Sequence, residues 1–213
     1  ITCVNPDDDP RFRQYWQAYH QVMGRRGVGP EAAKASVHRS NTIIAALMVH
    51  LGDADGMLCG MHGRFDAHLE NIENIIGLQP GATTLATLSA LSMDKRTLFI
   101  ADTYVNEAPT AEQLARIALK SAEQVRTFGL PPKVAFISHS NYGSSRRESA
   151  RRVREAYEIF RAMAPDVECD GEMHGDAAML EVIRKENLME SSLHGEANIL
   201  VCPNIDAANI LFN

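Results

Sequence analysis

K-V-A-F-I-S-H-S-N-Y-G-S-S-R-R-E-S-A-R-R-V-R-E-A-Y, residues Lys133 to Tyr157, is the stretch from which the fold is read. Val134 to Ile137 is an apolar run of strand length, and Ser138 to Ser145 is a turn of small polar residues. An arginine-rich helical pattern then extends to Met163. Strand, small-residue turn and helix N-terminus form a geometry in which free backbone N–H groups and the helix dipole hold an anion. Arg146, Arg147, Arg151, Arg152 and Arg154 could bind phosphate bidentately. The same arginines form the i,i+4 pairs Glu148–Arg152, Arg151–Glu155 and Arg154–Glu158, the usual dress of a solvated helix. Both readings stay open for the turn, and the distal arginines are assigned to the solvated face.

Working outward, Thr97 to Asp102 is a buried strand, and Thr110 caps a helix from Ala111 to Phe128 that Gly129 stops. Ala82 to Leu91 is strand-like in composition. Val167 to Asp170 is a weaker strand, Asp176 to Glu186 is helical, Asn198 to Cys202 is a buried strand, and Ile205 to Asn213 reads as a helix cut short. Strands alternating with helices predict an α/β fold with a mainly parallel sheet. Nearer the amino terminus the pattern predicts a strand at Thr2 to Val4 and a helix from Arg11 to Gly24. An aromatic core stripe of Phe12, Tyr15, Trp16, Tyr19 and Met23 lies on that helix. A second helix spans Glu31 to His50, a short buried strand Met57 to Gly60, and another helix Ala67 to Ile76. Gln79-Pro80-Gly81 punctuates the chain, so residues 1–81 and 82–213 are expected to be separate subdomains.

With 213 residues, 45% hydrophobic and 23% charged, the chain has the composition of a soluble globular protein. A net charge of −6 argues against nucleic-acid or anionic-membrane partners, which call for a clustered basic excess. No apolar stretch has the length of a membrane span, and no signal peptide is visible. Cys3, Cys59, Cys169 and Cys202 lack C-x-x-C spacing, which predicts reduced core cysteines in a cytoplasmic protein. The opening Ile1 and the shortened last helix suggest a segment of something larger.

Four more loops carry polar groups. Gly52-Asp53-Ala54-Asp55-Gly56 lacks the remaining oxygen ligands of a calcium loop. Met61 to Asp66, including Arg64, follows an expected strand end, where open parallel sheets place ligands, and reads equally as a capped loop. Asp170 to Asp176 offers four potential metal ligands but reads better as a strand-end loop with Asp176 capping the next helix. Pro203 to Asn209, with Asp206 and Asn209, suits ligand contact or helix capping alike. His139 lies between Ser138 and Ser140, but G-x-S-x-G is absent. No catalytic residue and no metal site are assigned.

Taken together, several motifs resemble the phosphate acetyltransferase family. They are G-D-A-D-G-M (Gly52 to Met57), N-x-x-P-T-A-E-Q-L-A-x-I-A (Asn106 to Ala118), V-A-F-I-S-H-S-N-Y-G-S (Val134 to Ser144), D-G-E-M-H-G-D-A-A (Asp170 to Ala178) and P-N-I-D-A-A-N-I (Pro203 to Ile210). The resemblance covers nearly the whole chain in order. It implies a three-layer α/β/α fold of the isocitrate dehydrogenase-like superfamily, truncated here, with a second domain inserted into the first and coenzyme A in the cleft between them.

N-P-D-D-D-P-R-F-R-Q-Y-W (Asn5 to Trp16), G-R-F-D-x-H-L (Gly63 to Leu69) and S-H-S-N-Y-G-S are similar to the carboxyl-terminal domain of bacterial NADP-dependent malic enzymes. Tyr142 stands where the transferases carry lysine, Glu70 where they carry an arginine, and Met23 near another arginine position. Acyl-phosphate chemistry depends on such cations. The resemblance therefore implies a regulatory, oligomer-forming domain with acetyl-CoA or a related metabolite as effector, the alternative being an active phosphate acetyltransferase that moves acetyl between coenzyme A and phosphate. Its implied partners are an amino-terminal malic enzyme domain, carrying NADP and Mg or Mn, and further copies of the chain. The expected ligand contacts are Ser138, Ser140, Asn141, Tyr142, Gly143, Ser144, Arg64, Asp206 and Asn209.

Overall fold

The computed structural model describes residues 3–94, 96–188 and 190–213. The chain forms two compact units, Ile1–Ala82 and Thr83–Asn213.

The second unit is built on a five-stranded sheet. Its strands are β1 (Ser89–Met93), β2 (Arg96–Ala101), β3 (Lys133–Ile137), β4 (Glu168–Met173) and β5 (Ile199–Val201), in the spatial order β1-β2-β5-β3-β4. β1 pairs antiparallel with β2, and the remaining pairings are parallel. Parallel strands buried on both faces need continuous apolar sequence, which T-L-F-I-A, V-A-F-I and I-L-V supply. On one face, α5 (Ala111–Thr127) and α6 (Glu148–Met163) pack Leu114, Ala118, Val153 and Phe160 against Phe99, Phe136 and Val201. On the other, α7 (Gly175–Met179) and α8 (Glu181–Asn187) pack with Ala135, Met173 and Leu200, while α9 (Ile205–Phe212) covers Ile100 and Cys202. Helices on both faces of a mostly parallel sheet give the three-layer α/β/α architecture that the resemblance implied. Thr110 caps α5 as expected, and the structure adds Gln113 as its partner in a capping box.

The described residues of the first unit form α1 (Phe12–Met23), a 3-10 turn (Gly24–Arg26), α2 (Pro30–Arg39), α3 (Asn41–His50) and α4 (Phe65–Ile75). Tyr15 and Tyr19 of the aromatic stripe are buried with Val37, Ile44, Leu47 and Ile75, and Phe12, Trp16 and Met23 pack at the edge of that core. The Tyr15 hydroxyl donates to Asp53 Oδ2 at 3.1 Å, tying down the turn after α3. Burial, then that hydrogen bond, pushes the phenol up to about 12.

Several expectations are corrected. The strand expected at Thr2 to Val4 falls partly outside the described residues, and Cys3 and Val4 are not in a strand. The helix expected from Glu31 to His50 breaks at Ser40, whose extended backbone lets its hydroxyl accept from Ile43 N and cap α3. Met57 to Gly60 is not a buried strand: Leu58 is fully exposed, and the described residues of this unit offer no neighbouring strand to pair with. Only the end of Ala82 to Leu91 enters β1. The helix expected over Asp176 to Glu186 splits at Leu180, which turns to extended geometry between α7 and α8. Cys3 and Cys59 are exposed, so only Cys169 and Cys202 are core cysteines; burial pushes their thiols up to about 11 and about 12.

The most consequential corrections concern β4 and α6. β4 continues past Asp170 to Met173, and α6 begins at Glu148, so residues 138–147 form a long irregular loop rather than a turn opening directly into a helix. Gly171 makes the β4 course possible. Its φ is +150°, and an added Cβ would lie 2.7 Å from Phe136 Cβ and 2.9 Å from Phe136 O. Gly171→Ala is therefore expected to lower stability by roughly 2 kcal/mol or more in urea unfolding, because the clash involves a packed strand. A stability equal to wild type would contradict this close approach.

Candidate functional site

The loops at the carboxyl ends of β2, β3, β4 and β5 lie along one edge of the sheet, the edge at which open α/β sheets bind ligands. The loops after β2 and β3 are each organised by a buried carboxylate. After β2, Asp102 is 4% exposed and accepts from Thr87 N, Thr87 Oγ1, Asn106 N and Asn106 Nδ2 at 2.6 to 2.9 Å. Those bonds hold residues 87 and 106 against the strand end and satisfy the carboxylate.

The loop after β3 is fastened to β4. Ser138 N donates to Met173 O and Tyr142 N to Glu172 O, both at 2.8 Å, while His174 N donates to Asn141 Oδ1 at 2.7 Å. The centre of the loop is the carboxylate of Glu172, with no exposed surface. Its Oε1 accepts from Ser140 Oγ at 2.7 Å, Gly143 N at 3.0 Å and Arg154 Nη2 at 2.9 Å, and Oε2 accepts from Arg154 Nε at 2.8 Å. Burial alone would raise this carboxyl; the bonds from Arg154, Ser140 and Gly143 outweigh it and hold it below the ordinary range. The loop amides are thus largely committed, since Asn141 N goes to Ser144 Oγ, Ser144 N to Asn141 O and Ser145 N to Ser140 Oγ. The free amides at a helix start that the sequence suggested are not found here: the loop's donors converge on a carboxylate of the same chain, and α6 begins only at residue 148.

The expected contact residues are placed as follows. Ser138 and Ser140 are buried, whereas Gly143 and Ser144 are exposed. Asn141 clamps His174 through both its oxygen and its Nδ2, the latter 3.2 Å from His174 Nδ1. Tyr142 turns its ring into the apolar cluster of Ala135, Met173 and Leu193, and its hydroxyl is buried with no hydrogen-bond partner. Burial, then the charge of Asp170, raises that phenol. Its φ is 47°, the left-handed region that non-glycine residues rarely occupy. Arg64 lies on the surface of the first unit, paired with Asp66 at 2.9 Å, and its loop is held where His68 bridges Thr42 Oγ1 and the carbonyl of His62. Asp206 is exposed; Asn204, rather than Asp206, caps α9 by accepting from Ala207 N at 2.9 Å. Asn209 donates to Ile205 O, and its Oδ1 is buried without a partner. Asp176 is likewise not a cap: it lies inside α7, whose N-cap is His174. Glu70 is exposed on α4, and Met23 packs at the edge of the first unit's core.

Two arginines assigned to a solvated face have other work. Arg154 grips Glu172, and Arg152 donates to the carbonyl of Pro203 at 3.3 Å, tying α6 to the loop after β5. Both line a cleft of about 1070 Å³ between α6 and the start of α5, together with Thr110, Glu148, Arg151 and Glu155. Sequence reasoning also missed Arg184. It is fully buried, donates to the carbonyls of Ala177, Leu193 and Gly195, and reaches Asp170 through the hydroxyl of Ser191. Among the described residues, no cluster of three or more His, Cys, Asp or Glu side chains is placed to hold a metal ion, and no helix is long and apolar enough to cross a membrane.

A mostly parallel sheet flanked by helices, with its polar loops gathered at the carboxyl edge, defines an open-sheet α/β/α protein. A family model described as phosphate acetyl/butaryl transferase matches residues 1–213, and the chain belongs to that family. The chain is 48% identical over 210 residues to an NADP-dependent malic enzyme of Escherichia coli K12, covering 99% of this chain and 28% of that protein. It is 31% identical over 209 residues to a phosphate acetyltransferase of Nitratidesulfovibrio vulgaris, covering 98% of this chain and 30% of the other. A crystal structure of a phosphotransacetylase from Streptococcus pyogenes superposes with a TM-score of 0.88 at 29% identity, over 98% of this chain and 64% of that one. The chain thus spans under a third of the length of these malic enzyme and acetyltransferase relatives.

The Glu172–Arg154 pair has a definite pH signature. The folded carboxyl titrates below its ordinary value of 4.5, so its stabilisation is complete above that pH and is lost as pH falls through the folded value. Glu172→Gln is expected to be less stable than wild type by roughly 2–3 kcal/mol at pH 7, allowing for the partly exposed Arg154, with the gap closing as pH falls below 4.5 and through the folded value. Urea unfolding of both proteins between pH 7 and 3 measures it. Equal stabilities at neutral pH, or a gap that widens on acidification, would contradict the assignment.

Proposed function

We propose that this chain is the carboxyl-terminal phosphotransacetylase-like domain of an NADP-dependent malic enzyme, and that it senses acetyl-CoA or a related metabolite rather than turning it over. The observation that carries the reading is the 48% identity to a malic enzyme along 99% of the chain, against 31% to a phosphate acetyltransferase over nearly the same residues. In this reading the whole protein oxidatively decarboxylates malate to pyruvate in the cytoplasm. NADP and Mg or Mn are bound by an amino-terminal domain outside this chain, and the present domain joins copies of the protein into a homo-oligomer.

The chemistry of the turn supports sensing over transfer. Acyl transfer to phosphate gathers negative charge, which needs cations free to receive it. In the β3–α6 loop, Arg154 is already engaged by Glu172, and the position that carries lysine in the transferases holds Tyr142, whose ring is packed inward. At the position of a transferase arginine, Glu70 adds a further negative charge. A domain with these groups can still recognise an acyl-CoA through Ser138, Ser140, Asn141, Gly143 and Ser144, with Asp206 and Asn209 as further contacts. Regulation then follows from differential affinity of the effector for two states of the full protein.

Isothermal titration of the full-length protein with acetyl-CoA, alongside malate oxidation and phosphate-dependent acetyl-CoA turnover, tests the proposal. The expected result is saturable binding at or below about millimolar ligand, a change in malate oxidation on binding, and no acetyl-phosphate formed. Absence of binding would defeat the sensing role, and robust acetyl-phosphate formation would make the chain a transferase.

A further inference from the structure

The donors that would bind an oxyanion in the β3–α6 loop are all held by one internal group. Ser140 Oγ, Gly143 N and the Nε and Nη2 of Arg154 converge on the two oxygens of Glu172 at 2.7 to 3.0 Å. A guanidinium fork with a backbone amide and a hydroxyl is the donor set by which proteins bind phosphate and carboxylate ligands. Here the ligand is supplied by β4. The carboxylate is completely buried, while Gly143 and Ser144 are exposed and the Arg154 side chain retains 34% of its surface, so part of the donor set borders solvent.

The loop does not depend on this carboxylate for its attachment to β4. Ser138 N to Met173 O, Tyr142 N to Glu172 O and His174 N to Asn141 Oδ1 are contacts that removing the Glu172 side chain leaves in place. The Tyr142 ring is a further anchor, seated among Ala135, Met173 and Leu193. Glu172 therefore fills the donor set and tightens the loop, while these other bonds still hold the loop against β4 when its side chain is removed.

We propose that the β3–α6 loop contains an oxyanion site that Glu172 keeps closed, so that a phosphate-type group binds Ser140, Gly143 and Arg154 only when the Glu172 carboxylate releases them. The proposal rests on the reading of this loop as a ligand site and supplies its regulation: Glu172 and an external oxyanion compete for the same donors. An ionised carboxylate displaced into a buried setting without partners is strongly unfavourable, which suppresses phosphate affinity in the closed state. A ligand with a second source of binding energy elsewhere on the domain can open the site, whereas a free anion cannot.

The test uses inorganic phosphate as the probe and the full-length protein as wild type, Glu172→Ala, and the double variant Glu172→Ala with Arg154→Ala, each checked for folding by circular dichroism. Isothermal titration is expected to find in Glu172→Ala about one phosphate site per chain, at least tenfold tighter than any in wild type, and to find that site missing in the double variant. Phosphate binding unchanged between wild type and Glu172→Ala, or a gain that persists without Arg154, overturns the proposal. Should Glu172→Ala fail to fold, Glu172→Ser, which likewise vacates the place of the carboxylate, is read by the same criteria. Acetyl-CoA titration of wild type is scored separately. Loss of acetyl-CoA binding with a gain of phosphate in Glu172→Ala retires the effector reading and leaves the closed site standing, and the converse leaves the effector reading and removes the closure.

Discussion

A carboxylate removed from water must be given donors, and Glu172 meets that constraint by drawing the surrounding structure to itself. Its partners come from the loop after β3 (Ser140 and Gly143) and from the second turn of α6 (Arg154), while Glu172 itself belongs to β4. One side chain thus bridges three consecutive elements, alongside the direct bonds of Ser138, Tyr142 and Asn141 that join the loop to β4. The long irregular stretch between residues 138 and 147 can remain irregular because its polar groups are satisfied from within. Burying the same charge without this fork and amide would be prohibitive, so the loop conformation and the ionisation of Glu172 depend on each other.

The same logic recurs along the carboxyl edge of the sheet. Asp102 gathers Thr87 and Asn106 at the end of β2, and Asp170 is joined through Ser191 to the buried Arg184, whose remaining donors go to the carbonyls of Ala177, Leu193 and Gly195. Each charge stabilises an irregular segment that apolar packing alone would not define. The edge that faces ligands in open parallel sheets is built here from carboxylates with internal partners.

Much of the second unit was legible in the sequence because its signals are periodic and local. V-A-F-I and T-L-F-I-A are buried strands by composition, and Thr110 with Gln113 marks the start of α5 directly. The D-G-E-M run was not legible as strand, because two carboxylates and a glycine argue against β structure by propensity. What places it in β4 is tertiary: Gly171 fits against Phe136 where a side chain would clash, and the carboxylates find partners more than ten residues away. For the same reason Arg154 looked like one more member of a solvated i,i+4 ladder, since nothing in its neighbourhood in sequence announces Glu172. Tyr142 was noticed as a departure from the transferase pattern, but its inward ring could be seen only once the cluster around Met173 and Leu193 was assembled. Met57 to Gly60 failed for the opposite reason: its apolar run is local, and a strand requires a neighbour.

The account's central claim, that Glu172 organises the β3–α6 loop while the sheet holds independently, is tested most directly by amide hydrogen exchange in wild type and Glu172→Ala. Peptides spanning residues 138–147 should lose protection in the variant, while those covering β3 and β5 keep theirs. Unchanged protection across 138–147, or a loss spread equally over the sheet, would contradict it.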